Sequence, residues 1–193
     1  MADMKRKGYG QVEPNHLSAQ YTGQIYAQLP AQTYTAASGS TPAATTAIET
    51  LENGQFLKYN YAGQRASTDG DGEWMLVFNE VKLYDERHQN YKDFAAKAAD
   101  MSDGVIYPRL LKTNIGDIFT TNTFRSSADK TVADLNDEIT MPELAVSNYV
   151  TIDSEGWLKK ANSKPDSGIC FQVVKVYNLG DMQDAVKLQR IQE

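Results

Sequence analysis

The sequence predicts a mainly β protein, an antiparallel β-barrel or sandwich of about seven or eight short strands. One flanking helix, over residues 87–101, and an extended N-terminal arm complete the prediction. Short apolar runs rich in β-branched and aromatic residues recur from residue 55 to residue 191, and turn-forming residues separate them. The last run has a period of two, as in a half-buried strand: Val186, Leu188 and Arg190 share one face, and Lys187, Gln189 and Ile191 share the other.

Residues 1–47 differ in composition from residues 48–193, so the chain is predicted to comprise an arm with an Ala/Thr/Ser-rich linker and a β-rich domain. Gly and Pro interrupt the first segment too often for a long helix or a regular strand. Residues 33–46 are mostly Ala, Thr and Ser and are expected to be extended or flexible. Tyrosine and aliphatic residues recur along the arm and predict that it lies across another surface, with a disordered tail as the alternative. These predicted contact residues are Tyr9, Tyr21, Ile25, Tyr26 and Leu29.

The first half of the β-rich domain contains a turn, two strands and a polar loop. Asn53-Gly54 is a strong turn signal, and an aromatic-rich strand is predicted over residues 55–61. A polar loop over residues 68–73 precedes residues 74–78, the most apolar run in the chain. Such an unbroken run predicts a strand that is buried on both faces.

The predicted helix follows, and further strands come after it. Apolar residues at helical spacing occupy residues 87–101, and Asp85 could cap the helix start. Residues 105–111 are predicted to form an edge strand because Pro108 interrupts them. A Gly-Asp turn leads into a Thr-rich strand over residues 115–124, and residues 126–146 are predicted to form a loop. Two hairpins are predicted over residues 149–160 and 169–191.

Composition and charge argue against several classes of partner. The net charge is −6 and the pI is about 5.0, so a nucleic-acid or anionic-membrane surface is not expected. The basic stretch Lys5, Arg6 and Lys7 is the local exception; it is either a solvated tip or a weak contact to an acidic partner. The N-terminus lacks the apolar run of a signal peptide, and no stretch is apolar enough to span a membrane. Synthesis and folding in a cytoplasm are therefore expected.

The motifs predict no enzyme, metal centre or cofactor. His16 and His88 lie in polar surroundings without a nucleophile motif, and Cys170 is predicted to be a small buried residue. The acidic residues between Asp69 and Glu73 alternate with Gly as in the start of a calcium loop, but the apolar strand that follows favours turn chemistry. No phosphate-binding glycine motif occurs. Trp74 and Trp157 could stack on sugars, although a core or interface position is favoured.

Several sequence segments, each a turn followed by a strand, together resemble structural proteins of tailed-bacteriophage heads. These are the small proteins that decorate or cement the capsid shell. The segments are residues 53–58, 114–123, 153–159 and 171–189, within a resemblance that covers about residues 50–191. The resemblance implies a β-rich body on the outer capsid surface that bridges major capsid subunits and is often oligomeric. The helix over residues 87–101 departs from the family pattern.

The sequence thus leads to a hypothesis of a virion protein on the capsid surface, present in the host cytoplasm during assembly. Its partner would be the major capsid protein lattice, with the five arm residues as contacts and Lys5, Arg6 and Lys7 as a steering tip. Two alternatives remain open. One is another virion part, such as a head fibre, neck or tail component. The other is a carbohydrate-binding β-module.

Overall fold

The computed structural model describes residues 4–26, 29–79, 95–124 and 138–193, and its strand pairing within sheets is antiparallel. The described residues are mainly β, as predicted, but they form seventeen strands rather than seven or eight. Besides one short helix, α1 (Ser18–Thr22), and a 3₁₀ turn (Ala98–Asp100), the elements are β1 (Lys5–Lys7), β2 (Val12–His16), β3 (Ile25–Tyr26), β4 (Gln32–Thr35), β5 (Ala44–Ala47), β6 (Thr50–Glu52), β7 (Phe56–Asn60), β8 (Arg65–Ser67), β9 (Trp74–Val77), β10 (Ala95–Lys97), β11 (Leu110–Lys112), β12 (Ile118–Thr121), β13 (Glu138–Thr140), β14 (Tyr149–Ile152), β15 (Leu158–Ala161), β16 (Cys170–Asn178) and β17 (Asp184–Gln192).

Two larger sheets organise the described chain in a sandwich-like arrangement, and neither closes into a barrel. One has six strands in the order β15-β14-β16-β17-β12-β2, and the other has five in the order β3-β11-β9-β7-β8. The long β16–β17 pair and the β14–β15 pair confirm the two predicted hairpins. Strands β1 and β13, β4 and β5, and β6 and β10 form three further pairs.

The main core lies between the two sheets. Phe56 of the five-stranded sheet contacts Phe119 and Phe171 of the six-stranded sheet, with ring centroids 6.4 and 5.8 Å apart. Phe119 and Phe171 meet edge to face at 5.4 Å, a favourable aromatic geometry. All three rings are fully buried, so the sheets are held together by apolar burial at their centre.

Strand β9 is buried on both faces, which confirms the prediction from its unbroken apolar run. Leu76 belongs to the core between the sheets, whereas Met75 and Val77 belong to a second core on the opposite face of the five-stranded sheet. Leu51 of β6, Ala96 of β10 and other apolar residues cover that opposite face. The five-stranded sheet therefore has apolar packing on both sides.

The N-terminal segment differs from the predicted extended arm, because its strands are part of the body. Strand β2 pairs with β12 at the edge of the six-stranded sheet, and β3 pairs with β11 at the edge of the five-stranded sheet. Strand β1 pairs with β13. These pairings join residues far apart in sequence, so local composition could not indicate them.

The Ala/Thr/Ser-rich stretch is largely extended, one of its two predicted states, and it forms a hairpin that was not predicted. Strands β4 and β5 pair in regular register, from Gln32 opposite Ala47 to Thr35 opposite Ala44. At its base the backbone N–H of Ile48 donates to the carbonyl of Ala31. Threonine favours extended backbone, which supports strand formation despite the low hydrophobicity.

The prediction of a helix over residues 87–101 is wrong for residues 95–101, the part that the structure describes. Residues 87–94, with His88, lie outside the described residues. Residues 95–97 form β10, which pairs with β6, and a 3₁₀ turn follows. Ala96 is buried against the second core, so tertiary packing outweighed the helical propensity of the alanines.

Two further predictions need correction. Pro108 lies before β11 rather than within it, and β11 is an internal strand between β3 and β9. Residues 126–146 were predicted to be a loop, but β13 lies within this range and pairs with β1. Residues 126–137 lie outside the described part of the chain.

Candidate interaction surface

Helix α1 connects the edge strands of the two larger sheets. Strand β2 ends at His16, α1 spans Ser18–Thr22, and β3 begins at Ile25. Leu17 and Ala19 are fully buried and anchor the helix to the main core. Gly23 ends the helix in the left-handed region (φ 71°), a conformation that glycine adopts without strain.

A buried carboxylate fixes the start of this helix. Asp117 accepts hydrogen bonds from the backbone N–H of Ser18 (2.9 Å), the hydroxyl of Ser18 (3.0 Å) and the backbone N–H of Asn114 (2.8 Å). Leu17, at the N-cap position, offers no side-chain acceptor. Asp117 therefore supplies the missing cap from the turn before β12.

The turn that carries Asp117 is held on two sides. Asn114 donates from its side chain to Ser18 Oγ (2.7 Å) and Gln24 Oε1 (2.9 Å). On the other side the backbone of Arg190 bonds to Gly116 and Asp117, at 2.9 Å each. The Arg190 guanidinium donates to Thr113, and burial lowers the pKa of Arg190 below its ordinary value.

Several large side chains near helix α1 and the hydrogen-bonded Asp117 turn are exposed. Tyr21 on α1 is 77% exposed, Ile115 in the turn is 60% exposed and Tyr26 in β3 is 47% exposed. The ring of His16 stacks on Tyr21, with centroids 5.8 Å apart. We call His16, Tyr21, Tyr26 and Ile115 the α1–β3 surface. Exposed aromatic and aliphatic groups on a fixed backbone are typical of protein-binding surfaces.

A charge pair lies beside this surface. Lys112 Nζ contacts Glu73 Oε1 at 2.7 Å, and this hydrogen bond raises the pKa of Lys112. Lys112 also bonds through its backbone N–H to the carbonyl of Gln24, which precedes β3. The pairing neutralises local charge next to Tyr26.

The five predicted contact residues occupy different environments. Tyr21 and Tyr26 lie on the α1–β3 surface. Ile25 packs partly buried against the main core and Leu29 against the second core. Tyr9 is buried beside Ile139, and Lys97 Nζ lies 5.6 Å from its ring centroid. The structure thus leaves two of the five exposed and uses the others for packing.

The predicted basic tip is incorporated into the body. Arg6 is buried and paired with Glu52, and Lys5 Nζ contacts Glu138 Oε1 at 2.6 Å. Lys7 is exposed, and its backbone N–H donates to Gln183. Three free cations are therefore not presented together.

The two tryptophans are not open sugar-stacking platforms. Trp157 is buried, and the guanidinium of Arg6 lies 5.7 Å from its ring centroid. Trp74 is partly buried, with Lys58 Nζ 4.7 Å from its ring centroid. The core position favoured from sequence is confirmed for Trp157.

The acidic loop over residues 69–73 makes turn contacts, and its carboxylate oxygens do not converge as metal ligands would. Asp71 accepts from the backbone N–H of Tyr61 (3.2 Å), and Glu73 pairs with Lys112. Gly72 N–H donates to Tyr59 O (2.8 Å). Within the described ranges no group of three or more metal-binding side chains occurs.

Cys170 is fully buried in β16, as predicted. Its Sγ lies 3.6 Å from the carbonyl oxygen of Phe171. Burial raises the pKa of the thiol, because the thiolate would lose its hydration.

Asp117 and Ile115 are not among the residues predicted from the sequence to form a site. An Asn-x-Gly-Asp phrase indicates a turn, but nothing local shows that its aspartate caps a helix far earlier in the chain. An apolar residue between turn-forming residues, as in Asn114-Ile115-Gly116, is the signal that could have suggested an exposed contact.

Comparison with protein-family models found no match, and neither did comparison with curated proteins or with solved structures. Among the described residues, no helix is long and apolar enough to cross a bilayer.

Proposed function

We propose that this chain is a virion structural protein, which decorates or cements the outer surface of a phage capsid shell by binding major capsid subunits. It acts by binding and catalyses no reaction. The observation that carries the proposal is the α1–β3 surface. Its residues Tyr21, Tyr26 and Ile115 are exposed near the hydrogen-bonded start of helix α1. The turn-and-strand segments that resemble phage head proteins support the major capsid protein lattice as the partner.

Rigidity makes the α1–β3 surface suitable for docking. Side chains on a pre-ordered backbone lose less conformational entropy on binding than side chains on a disordered segment. Tyrosines also bury a large contact area at the expense of few rotatable bonds. The surface can therefore bind a groove of a shell subunit without refolding.

Stabilisation of the shell follows from mass action. A protein that binds the assembled lattice and not the free subunits shifts the equilibrium towards the assembled state. Repetition over a symmetric shell adds avidity when each copy spans two subunits. Modest contacts per copy are then sufficient.

The test uses phage shells assembled without this protein, to which purified full-length protein is added. We expect co-sedimentation with the shells and a higher temperature of shell disruption. Tyr21→Ala combined with Ile115→Ala should reduce both effects. Tyr61→Ala is the matched control, since Tyr61 is 63% exposed and its ring contacts Tyr59. It lies at the β7–β8 end of the five-stranded sheet, away from β3 at the other edge.

Three results would count against the proposal or its surface. Failure of the protein to bind shells would remove the decoration role. Equal binding by the double variant and by wild type would remove the α1–β3 surface as the contact. Labelling on the tail or neck in electron micrographs, with bare heads, would assign the protein to another virion part.

A further inference from the structure

The outer part of the β4–β5 hairpin is exposed, while its base packs beside β8. Every residue from 35 to 46 is exposed, and no charged side chain occurs between residues 31 and 48. On one side, the base of the hairpin contacts β8, where Ala31 bridges Ala66. A two-stranded hairpin alone is only marginally stable in water, so its outer part gains from further pairing.

Among the described strands, only β4 pairs with β5, and the other edge of β5 carries backbone groups that point outward. The N–H of Ile48 donates to Ala31 O, towards β4. Alternation along an antiparallel strand then directs the N–H and C=O groups of Thr45 and Ala47 away from β4. Ala44, Thr45 and Thr46 are exposed.

Other outer strands of the described sheets are protected against edge pairing. Proteins block such edges with charged residues, prolines, short strands or covering segments. Strand β2 contains Glu13 and Pro14, β15 contains Lys159 and Lys160, and β3 has only two residues. Strand β8 is covered by residues 30–31. In contrast, β5 consists of Ala and Thr alone.

We propose that β5 pairs antiparallel with β5 of a second copy of this chain about a two-fold axis, which joins two hairpins into a four-stranded sheet. A two-fold contact places the same surface on both sides, so it must be compatible with itself. An axis at Thr45 or Thr46 places Thr opposite Thr, a favourable cross-strand pair.

Charge favours this edge over other surfaces for self-association. Each copy carries a net charge of −6, so many other approaches of two copies bring like charges together. The hairpin brings no charged side chain to the contact. This inference does not depend on binding to a capsid, since pairing can occur in free solution.

The mass of the full-length protein in solution tests the pairing. Sedimentation equilibrium over about a hundredfold range of concentration should show a reversible dimer. Thr45→Pro removes an outward N–H without a loss inside the hairpin, and it should weaken the dimer about tenfold or more. Thr45→Lys should do the same by charge repulsion, whereas Thr45→Ala, which keeps the N–H, should remain dimeric.

Single cysteines test the geometry. Thr45→Cys or Thr46→Cys, whichever lies at the axis, should give a disulfide-linked dimer on mild oxidation, and Ser40→Cys at the hairpin tip should not. The native Cys170 is buried and will not interfere. Wild type that is monomeric throughout, a dimer unaffected by both Thr45→Pro and Thr45→Lys, or failure of both cysteine variants to cross-link would overturn the inference.

Discussion

Arg6 and Glu52 form a buried ion pair, with 2.7 Å between Arg6 Nη1 and Glu52 Oε2 and both side chains 1% exposed. The same Glu52 oxygen accepts the backbone N–H of Gly10 at 2.7 Å. Arg6 Nε and Glu52 Oε1 have no hydrogen-bond partner within the described structure. The pair links β1 to β6. Removing both charges from water carries a free-energy penalty that opposes this attraction.

Glu52→Gln should destabilise the protein by about 3 kcal/mol or more, because it leaves the buried Arg6 charge without its counter-ion. Urea unfolding followed by circular dichroism measures the change. Glu138→Gln is the matched control: it removes the exposed partner of Lys5 and should cost less than about 1 kcal/mol. The double variant Arg6→Met with Glu52→Leu should be more stable than Glu52→Gln, and the opposite order would contradict this account.

Gly156→Ala should also destabilise the fold by about 3 kcal/mol or more, through steric overlap and backbone strain. Gly156 has φ +84°, and a Cβ atom there would lie 2.0 Å from Phe56 O. Its carbonyl accepts the N–H of Phe56, so the turn at Gly156 cannot move away from β7 without losing this bond. Gly180→Ala, where a Cβ would meet no atom within 4 Å, should change the unfolding free energy little.

Sequence patterns predicted the parts of the fold that local information determines. Five consecutive apolar residues predicted that β9 is buried on both faces, which its packing in two cores confirms. The Asp153–Gly156 turn has its signature in adjacent residues, and its hairpin formed as expected. The period of two in β17 likewise placed Val186 and Leu188 on one face, and both side chains enter the core.

The errors arose where distant residues decide the structure. The basic stretch with Arg6 predicts a solvated tip or a contact to an acidic partner, because charge runs are usually exposed, whereas Arg6 pairs inside the protein with Glu52, 46 residues away. Tyr9 and Leu29 were predicted to be arm contacts, but they pack against elements supplied by other parts of the chain. For the α1–β3 surface, sequence indicated Tyr21 and Tyr26 but not Asp117, whose capping role exists only once β12 is in place.

Cys170 should resist thiol reagents in the folded protein. Burial raises the pKa of its thiol, so less thiolate is present at any pH near the ordinary cysteine value, and access is blocked as well. Ellman's reagent should therefore react at the rate of unfolding, whereas a cysteine introduced at exposed Ser40 should react at once. Prompt reaction of Cys170 in native buffer would contradict its buried position.

The same thiol should make stability depend on pH in the alkaline range. Its folded-state pKa is raised, so the folded state retains the proton where the unfolded state has lost it. The free energy of unfolding should then fall as pH rises above the pKa of an unfolded cysteine and towards the raised folded value. Cys170→Ala should reduce this slope, which urea titrations at several alkaline pH values would measure. An unchanged slope would show that the thiol does not contribute.

Asp117→Ala should release helix α1 and weaken the α1–β3 surface. The substitution removes the acceptor for the N–H and hydroxyl of Ser18 and the N–H of Asn114, and loss of such a cap costs about 1–2 kcal/mol. Amide hydrogen exchange should accelerate in residues 18–26, while exchange in β16 and β17 should change little. Asp103→Ala provides the control, because Asp103 makes equivalent turn contacts to Val105 and Tyr107 at an exposed site. If docking requires a pre-ordered surface, Asp117→Ala should also reduce shell binding although Tyr21 and Ile115 are intact. Normal shell binding together with accelerated exchange would show that the contact forms without prior order in α1.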